Sequence, residues 1–179
     1  SSRHLQLLIE QLLDYNRKLA DGPGELENVE LVEMVEDVIS AHSLPARAKM
    51  IRTETDLKAD ICWADPTLLM RVLDNLYSNA VHYGEESGTI WVRSRQVNNR
   101  VQIDIANTGA SIPESEETMI FEPFFQGSHQ RKGAVKGSGL GLSIAHDCIK
   151  RMQCYLQLVS VDYAAVCFRV ELPLTAENE

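Results

Sequence analysis

The sequence contains no apolar run of about 18 residues, the shortest that crosses a bilayer as a helix. The N-terminal residues lack the basic stretch and apolar core of a signal peptide, and we expect none here. The sequence has 17 Lys and Arg residues against 26 Asp and Glu residues, which gives a net charge of −9. This excess of acidic residues argues against general affinity for nucleic acid or anionic lipid. The four cysteines form no CxxC pair and no zinc-ligand spacing, which favours buried, reduced thiols.

What is present suits one globular domain with a short extension. The chain has 179 residues, of which 44% are apolar. Apolar residues at three- and four-residue spacing between positions 5 and 19 predict an amphipathic helix, which ends at Gly22-Pro23-Gly24. We expect residues 1–21 to form a helix that packs on another helix, residues 22–25 a linker, residues 26–174 the domain and residues 175–179 a tail.

The domain is expected to alternate helices with short strands. Helices are predicted from about residue 31 to a stop before Pro45, from Pro66 after the N-cap Asp65, and over about 138–152. Strands are predicted near 50–55, 60–63, 89–97, 100–106, 155–161 and 165–172, with a hairpin turn at Asn98-Asn99. Polar and apolar residues alternate in the later strands. The predicted fold is an α/β sandwich, a mixed and mainly antiparallel sheet with helices on one face.

Asn75 and Asn79 are the first candidates for chemistry. They lie one helical turn apart, so both amide side chains project from one face of the helix. An amide oxygen is a hard, neutral ligand that suits Mg²⁺ beside nucleotide phosphates, and a neighbouring amide can steady a phosphate oxygen. A lone helical asparagine more often makes only a local hydrogen bond, so the pair needs support from other motifs.

Two further segments supply support, although each is weak alone. Asn107 ends a strand and can accept a hydrogen bond from the exocyclic amine of a base, while Gly109 lets the backbone approach a flat ring. The connection over 110–136 is too long for a plain loop, and no acidic residue lies between Glu122 and Asp147. It leads into a glycine series at the start of a helix, where free N–H groups attract an anion. The plainer interpretations are a strand-terminating turn and a solvated loop.

The order and spacing of these motifs resemble the nucleotide-binding domain of sensor histidine kinases, the ATPase fold shared with gyrase B, Hsp90 and MutL. Asn-x-x-x-Asn-Ala at 75–80, Asn-x-Gly at 107–109, Phe-x-Pro-Phe at 121–124 and Gly-x-Gly-Leu-Gly-Leu at 137–142 are similar to its N, G1, F and G2 boxes. The resemblance covers residues 26–174, and residues 5–20 resemble the second helix of the dimerisation and phosphotransfer hairpin. It implies a GHKL (Bergerat) ATP-binding fold and a protein histidine kinase.

The resemblance also implies the site, with ATP and Mg²⁺ as cofactors. Asn79 would coordinate Mg²⁺ and, with Asn75, form the catalytic pair at the metal and phosphates. Tyr83 would stack near the adenine, and His82 would reach a phosphate. The implied nucleotide-binding residues are Asn75, Asn79, His82, Tyr83, Asn107, Gly109, Ile112, Phe121, Arg131, Lys136, Gly137, Ser138, Gly139, Leu140, Gly141 and Leu142.

The implied partners are ATP, the phosphoacceptor hairpin of the same kinase and a response regulator. A homodimer is expected for the full-length protein, with no contact of this fragment to nucleic acid or membrane. None of the five histidines has the acidic neighbour and later proline of a phosphoacceptor, so that histidine is expected on a preceding helix outside this chain. The fragment is expected to be the cytoplasmic domain of a membrane-anchored bacterial sensor kinase.

Three positions depart from the family pattern. Asn107 stands where Asp is usual, Ser111 where a second Gly is usual, and Gln126 where Arg is frequent. An amide acceptor lacks charge assistance, which roughly halves the strength of a hydrogen bond, so Asn107→Asp is expected to strengthen ATP binding. Two alternatives stay open: a degenerate nucleotide-binding or docking module without phosphotransfer, and an ATPase like gyrase B or Hsp90. The ATPase would need a carboxylate base where Asn75 stands.

Overall fold

The computed structural model describes residues 5–7, 9–10, 12, 24–123, 125 and 141–176. Six predicted site residues lie outside these ranges: Arg131, Lys136, Gly137, Ser138, Gly139 and Leu140. The described residues before position 13 are helical; Leu5, Leu7 and Ile9 are exposed, whereas Leu12 packs against the core of the domain. The pairing of this helix with another helix stays a prediction, as do the four segment boundaries.

The elements follow one another as β1 (Glu27–Glu30), α1 (Leu31–Ala41), α2 (Ser43–Ala48), β2 (Arg52–Leu57), β3 (Ile61–Ala64), α3 (Pro66–Tyr83), β4 (Thr89–Val97), β5 (Arg100–Asn107), a short 3₁₀ helix (Glu114–Glu116), α4 (Gly141–Arg151), β6 (Tyr155–Val159) and β7 (Val166–Pro173). β1 and β3 form a small antiparallel sheet. The main sheet has the strand order β2-β4-β5-β7-β6, in which only the β2–β4 pair is parallel. The predicted mixed, mainly antiparallel sheet is confirmed.

One face of the main sheet forms the core with the helices. Its inward side chains, such as Ile103 and Val170, are fully buried, as are Leu69 and Leu76 on α3. Helices α3 and α4 pack side by side over this face. The predicted α/β sandwich is therefore confirmed, and it places α3 and α4 next to each other on the sheet.

The opposite face of the sheet is polar, and its charged side chains contact one another across neighbouring strands. Asp104 pairs in register with Arg93 on β4 and with Arg169 on β7. Arg169 donates to both Asp104 oxygens, at 2.8 and 2.9 Å, and this carboxylate raises the pKa of the guanidinium. The Arg93 guanidinium lies 4.0 Å above the Tyr163 ring. This alternation of charge across neighbouring strands stabilises the polar face of the sheet.

Local signals place several elements correctly. The Asp65 side chain accepts hydrogen bonds from the N–H groups of Thr67 and Leu68, at 2.9 and 3.2 Å, so the predicted start of α3 is confirmed. Asn98 adopts a φ of 57° in the hairpin turn between β4 and β5, as a tight turn requires. Among the described residues no helix is long and apolar enough to cross a bilayer.

Other boundaries agree only in part with the predictions. The predicted helix that ends before Pro45 is confirmed, because α1 ends at Ala41. The short helix α2 is not predicted from the sequence; it contains Pro45 in its first turn, where backbone N–H groups have no partner within the helix. The pattern does not predict β1, because Val29 is its only apolar residue. β6 ends at Val159 rather than near 161.

The long connection after β5 is not a structureless loop at its start. Ile112 and Ile120 are buried in the core, and a 3₁₀ helix lies between them. The first part of the predicted loop over 110–136 therefore contains buried residues and a short 3₁₀ helix. The basic cluster and the glycine series before Gly141 lie outside the described residues.

All four cysteines are free thiols, as predicted. Cys62, Cys148 and Cys167 are buried, while Cys154 is half-buried. Burial raises the pKa of Cys62 and of Cys167 to about 12 in each case. These two thiols are consequently protonated and unreactive at neutral pH.

Candidate nucleotide site

Helix α3 forms one wall of the candidate site. Its buried stripe, which includes Leu76 and Ala80, faces the core. Asn75, Asn79 and His82 lie beside that stripe, and each is half-buried. The predicted polar face at the edge of the core is therefore present, with its side chains between the packed interior and solvent.

The carboxamide of Asn75 faces the start of α4. Its Nδ2 donates to the Arg71 carbonyl at 2.8 Å, which turns the Oδ1 atom away from the helix axis. A Cβ built on Gly141, the first residue of α4, would lie 3.4 Å from this Oδ1. The end of the glycine motif and the asparagine motif thus lie against each other. The positive dipole end of α4 lies beside the Asn75 amide, an arrangement that attracts phosphate.

The turn after β5 rests on the other end of α3. Gly109 has a φ of 128°, which L side chains rarely adopt. A Cβ at Gly109 would lie 3.3 Å from the Glu85 nitrogen and 3.4 Å from the Tyr83 carbonyl oxygen. The turn of Asn107 and Gly109 is therefore packed against the residues that directly follow α3.

Asn107 is oriented by its own turn. The residue is buried, and its Nδ2 donates to the Thr108 carbonyl at 2.9 Å. Because a carbonyl only accepts, the amide nitrogen must face Thr108, and the amide oxygen points the other way. The oxygen is the group that a base amine requires as an acceptor. The geometry is thus compatible with the predicted adenine contact, which stays a prediction.

His82 and Tyr83 form a pair at the carboxyl end of α3. Their ring centroids lie 4.6 Å apart in an edge-to-face arrangement. Burial raises the pKa of the Tyr83 hydroxyl, so the ring stays neutral. Ile112 is buried in the core and Leu142 packs against it from a half-buried position. A direct nucleotide contact by these four residues stays a prediction.

Phe121 packs the segment that follows β5 against α4. Its ring stacks on His146 with centroids 4.8 Å apart and planes inclined by 14°, and it meets Phe168 edge-on at 6.1 Å. Burial, with Lys150 as a second cause, lowers the pKa of His146, so the stacked imidazole is neutral. These contacts are structural, and a contact of Phe121 with nucleotide stays a prediction.

The oxygen donors of the site suit a hard cation that takes few protein ligands. No group of three or more His, Cys, Asp or Glu side chains that could hold a metal occurs in the described ranges. Asn75 and Asn79 instead offer neutral amide groups one helical turn apart, and Asn75 lies beside the amino end of α4. Mg²⁺ commonly keeps several waters and completes its shell with substrate phosphates, so the donor set fits this metal.

Two residues that shape the site carry no motif signal. The Thr108 hydroxyl accepts from the Thr89 N–H at 2.9 Å and ties the turn to β4. Lys49 reaches the carboxyl end of α3 from the end of α2. Thr108 occupies the unspecified middle position of the Asn-x-Gly motif, so the motif assigns it no role. The role of Lys49 depends on tertiary geometry that periodicity does not report.

Comparisons with known proteins agree with this geometry. The family model of histidine kinase-, DNA gyrase B- and HSP90-like ATPases matches residues 64–176, more than half of the chain. Sensor histidine kinase GlrK of Escherichia coli K12 is 70% identical over 173 residues, which are 97% of this chain and 36% of that protein. Sensor histidine kinase QseE of Escherichia coli O157:H7 gives the same values. The chain thus spans about a third of the length of these relatives.

Solved structures show the same fold. The catalytic domain of histidine kinase ThkA superposes with a TM-score of 0.73 at 27% identity, covering 84% of this chain and 97% of that chain. ThkA in complex with the response regulator protein TrrA gives a TM-score of 0.72 at 26% identity, covering 97% of this chain and 48% of that chain.

Proposed function

The chain belongs to the family of histidine kinase-, DNA gyrase B- and HSP90-like ATPases, and we propose that it is the ATP-binding catalytic domain of a sensor histidine kinase. In this role it presents the γ-phosphate of ATP, bound with Mg²⁺, to a histidine on the phosphoacceptor hairpin. The phosphoryl group is then relayed to a response regulator. The full-length kinase is a homodimer, and this domain is the cytoplasmic part of a membrane-anchored protein.

The observation that carries this proposal is the placement of Gly141 and Gly109 against two points along α3. Gly141 lies against Asn75, and Gly109 lies against Tyr83. These two points are eight residues apart on one helix, a separation of about 12 Å at 1.5 Å per residue. A base held at the Gly109 end and phosphates held at the Gly141 end would span that distance. One nucleotide would therefore bridge both motifs.

Different residues of the site would bind the metal, the phosphates and the base. When bound, Mg²⁺ neutralises the charge of the phosphate oxygens during phosphoryl transfer. Asn79 and Asn75 are the residues that would hold it, through amide oxygens that carry no charge of their own. The N–H groups at the start of α4 would bind phosphate oxygens, and the Asn107 oxygen would accept from the base.

The site favours transfer to an imidazole over attack by water. A hydrolytic relative needs a carboxylate base on this helix, and Asn75 cannot accept a proton. The adjacent carboxylate, Asp74, lies 2.7 Å from His42 Nε2, and this contact holds it away from the face that carries Asn75. A nucleophilic histidine needs less help from a base, because its neutral imidazole carries a free lone pair.

The experiment that tests the proposal is nucleotide binding with and without metal, followed by phosphotransfer. Calorimetry should show ATP binding that strengthens with Mg²⁺, and Asn79→Ala should abolish this metal-dependent part. Asn28→Ala, an exposed position on β1, is the matched control and should bind like the unsubstituted chain. Equal binding with and without Mg²⁺ would contradict the metal role.

The second step separates the three functional hypotheses. The chain is mixed with γ-labelled ATP, Mg²⁺ and the hairpin of a related kinase. Acid-labile label on the hairpin is expected. Nucleotide binding without label would favour a docking module, and steady phosphate release by the chain alone would favour an ATPase like gyrase B.

A further inference from the structure

Lys49 caps the carboxyl end of α3 from outside the helix. Its Nζ donates to the carbonyls of Val81 at 2.9 Å, His82 at 2.5 Å and Gly84 at 3.2 Å. An ammonium group has three N–H donors, and here each has a carbonyl. The last carbonyls of a helix lack intrahelical partners and carry the negative end of its dipole, so a cation is favoured at this point.

The backbone of Lys49 is fixed as firmly as its side chain. Its N–H bonds to the carbonyls of Pro45 and Ala46 at the end of α2, at 3.3 and 3.2 Å. Its own carbonyl accepts from the Ser87 N–H at 2.8 Å. Lys49 therefore joins the end of α2, the end of α3 and the segment that follows α3.

That segment supports the turn of the predicted base contact. Gly109 approaches the Tyr83 carbonyl oxygen and the Glu85 nitrogen, between and beside the carbonyls that Lys49 holds. Thr108 is equally close, since a Cβ on Gly88 would lie 2.3 Å from its hydroxyl oxygen. A shift of the capped end would consequently move the turn that carries Asn107.

We infer that Lys49 is a positioning residue of the nucleotide site. Its ammonium fixes the end of α3, so that His82 and Tyr83 stand at a set distance from the turn of Asn107 and Gly109. The inference rests on the proposed function, in which a base lies at this end of α3. Lys49 acts through backbone carbonyls and not through a contact of its own with the nucleotide.

A purely structural role makes a different prediction. A cap that only stabilises α3 would lower the melting temperature when removed, and the folded protein would keep its nucleotide affinity. A positioning role changes the affinity of the folded protein and displaces the turn. ADP affinity and the backbone amide NMR signal of Gly109 distinguish the two roles, because neither depends on stability while the chain is fully folded.

The test uses Lys49→Met and Lys49→Gln in the full chain. ADP is titrated by calorimetry at a temperature at which circular dichroism shows each variant fully folded. We expect about tenfold weaker ADP binding, which corresponds to about 1.4 kcal/mol, and a shifted Gly109 signal. Lys58→Met is the matched control, because the Lys58 side chain is 75% exposed and lies 3.9 Å from Asp56. It should leave both readouts unchanged.

Each outcome decides the inference. Unchanged ADP affinity in either folded Lys49 variant overturns the inference. A tenfold loss of ADP affinity in Lys58→Met also overturns it. Failure of the unsubstituted chain to bind ADP overturns the proposed function instead. In that case the NMR signals of Gly109 and the Asn107 side chain decide: displaced signals support positioning of the turn by Lys49, and unchanged signals overturn it.

Discussion

Asn75 and Gly141 meet where α3 and α4 pack together, with the Asn75 Oδ1 atom 3.4 Å from the place where a Cβ on Gly141 would lie. The contact joins two motifs that are far apart in the sequence. It sets the Asn75 amide beside the amino end of a helix, a combination that suits a metal-bound polyphosphate.

The first prediction concerns the size of the residue at position 141. A distance of 3.4 Å is an ordinary van der Waals contact, so Gly141→Ala should fold normally and gain up to about 1 kcal/mol from helix propensity. Gly141→Val adds an isopropyl group, two methyl groups more than Ala, and should displace the Asn75 carboxamide. ADP titration and thermal melting check both: we expect near-normal affinity for Ala and a large loss for Val. Normal affinity in Gly141→Val would contradict the contact.

The sequence predicts what local rules decide. Asp65-Pro66 starts α3 because an acceptor and a proline suit the first helical turn, and Asn98 forms a hairpin turn because it tolerates positive φ. The faces of α3 follow from its periodicity. The family resemblance, and not periodicity, brings the asparagine and glycine motifs together.

Tertiary contacts decide what the sequence does not predict. Pairing with β3 holds β1 in place, and Val29 is the only buried residue of the strand, so there is no alternating pattern to detect. Pro45 lies inside α2, because the first turn of a helix does not use its N–H groups. The cap by Lys49 joins residues that no periodic pattern relates.

The second prediction is that Asn107→Asp has opposite effects on stability and on binding. The carboxylate would place an oxygen where Nδ2 now donates to the Thr108 carbonyl, in a residue that is only 3% exposed. We expect the free energy of unfolding to fall by about 1–3 kcal/mol. ADP binding should strengthen, because a charged acceptor bonds the base amine more strongly.

Denaturant unfolding and calorimetry measure these two effects separately. Asn107→Ala, which removes both the turn contact and the acceptor, should lose stability and affinity together. Equal or weaker ADP affinity in Asn107→Asp would count against the base contact, whatever its stability.

The third prediction separates two roles of Asp65. Its Oδ1 caps α3, while its Oδ2 accepts from the Gly24 N–H at 2.8 Å and holds the segment before β1. Asp65→Ala loses both contacts and should cost about 1–2 kcal/mol of unfolding free energy. Asp65→Asn should cost less than Asp65→Ala, because its amide oxygen keeps the cap. It loses only the bond from Gly24, since an amide nitrogen cannot accept.

Gly24→Ala provides the matched control for the second contact. A Cβ at this position would lie 2.7 Å from the Asp65 Oδ2 atom, so the substitution should disturb the Gly24 bond and leave the cap intact. Denaturant unfolding should then give similar losses for Gly24→Ala and Asp65→Asn. A loss in Asp65→Asn as large as in Asp65→Ala would show that the cap is not the main contribution.

The fourth prediction is that His146 makes stability depend on pH. Burial lowers the pKa of His146 below its ordinary value of 6.5, so the unfolded chain takes up this proton before the folded chain does. Above about pH 6.5 both states are neutral and the residue has no effect. Stability is lost as the pH falls from about 6.5 to the lowered pKa of the folded state, and the loss is complete below it.

His146→Phe should remove this dependence while it keeps a ring stacked on Phe121. Thermal melting at about pH 7.5 and about pH 5.5 measures the effect, and the difference between the two melting temperatures should be smaller in the variant. Lys150→Met should reduce the difference less, because the charge of Lys150 is the second cause of the shift and burial is the first. An unchanged difference in His146→Phe would mean that other groups set the acid sensitivity, and that the packing of Phe121 on α4 does not depend on a neutral imidazole.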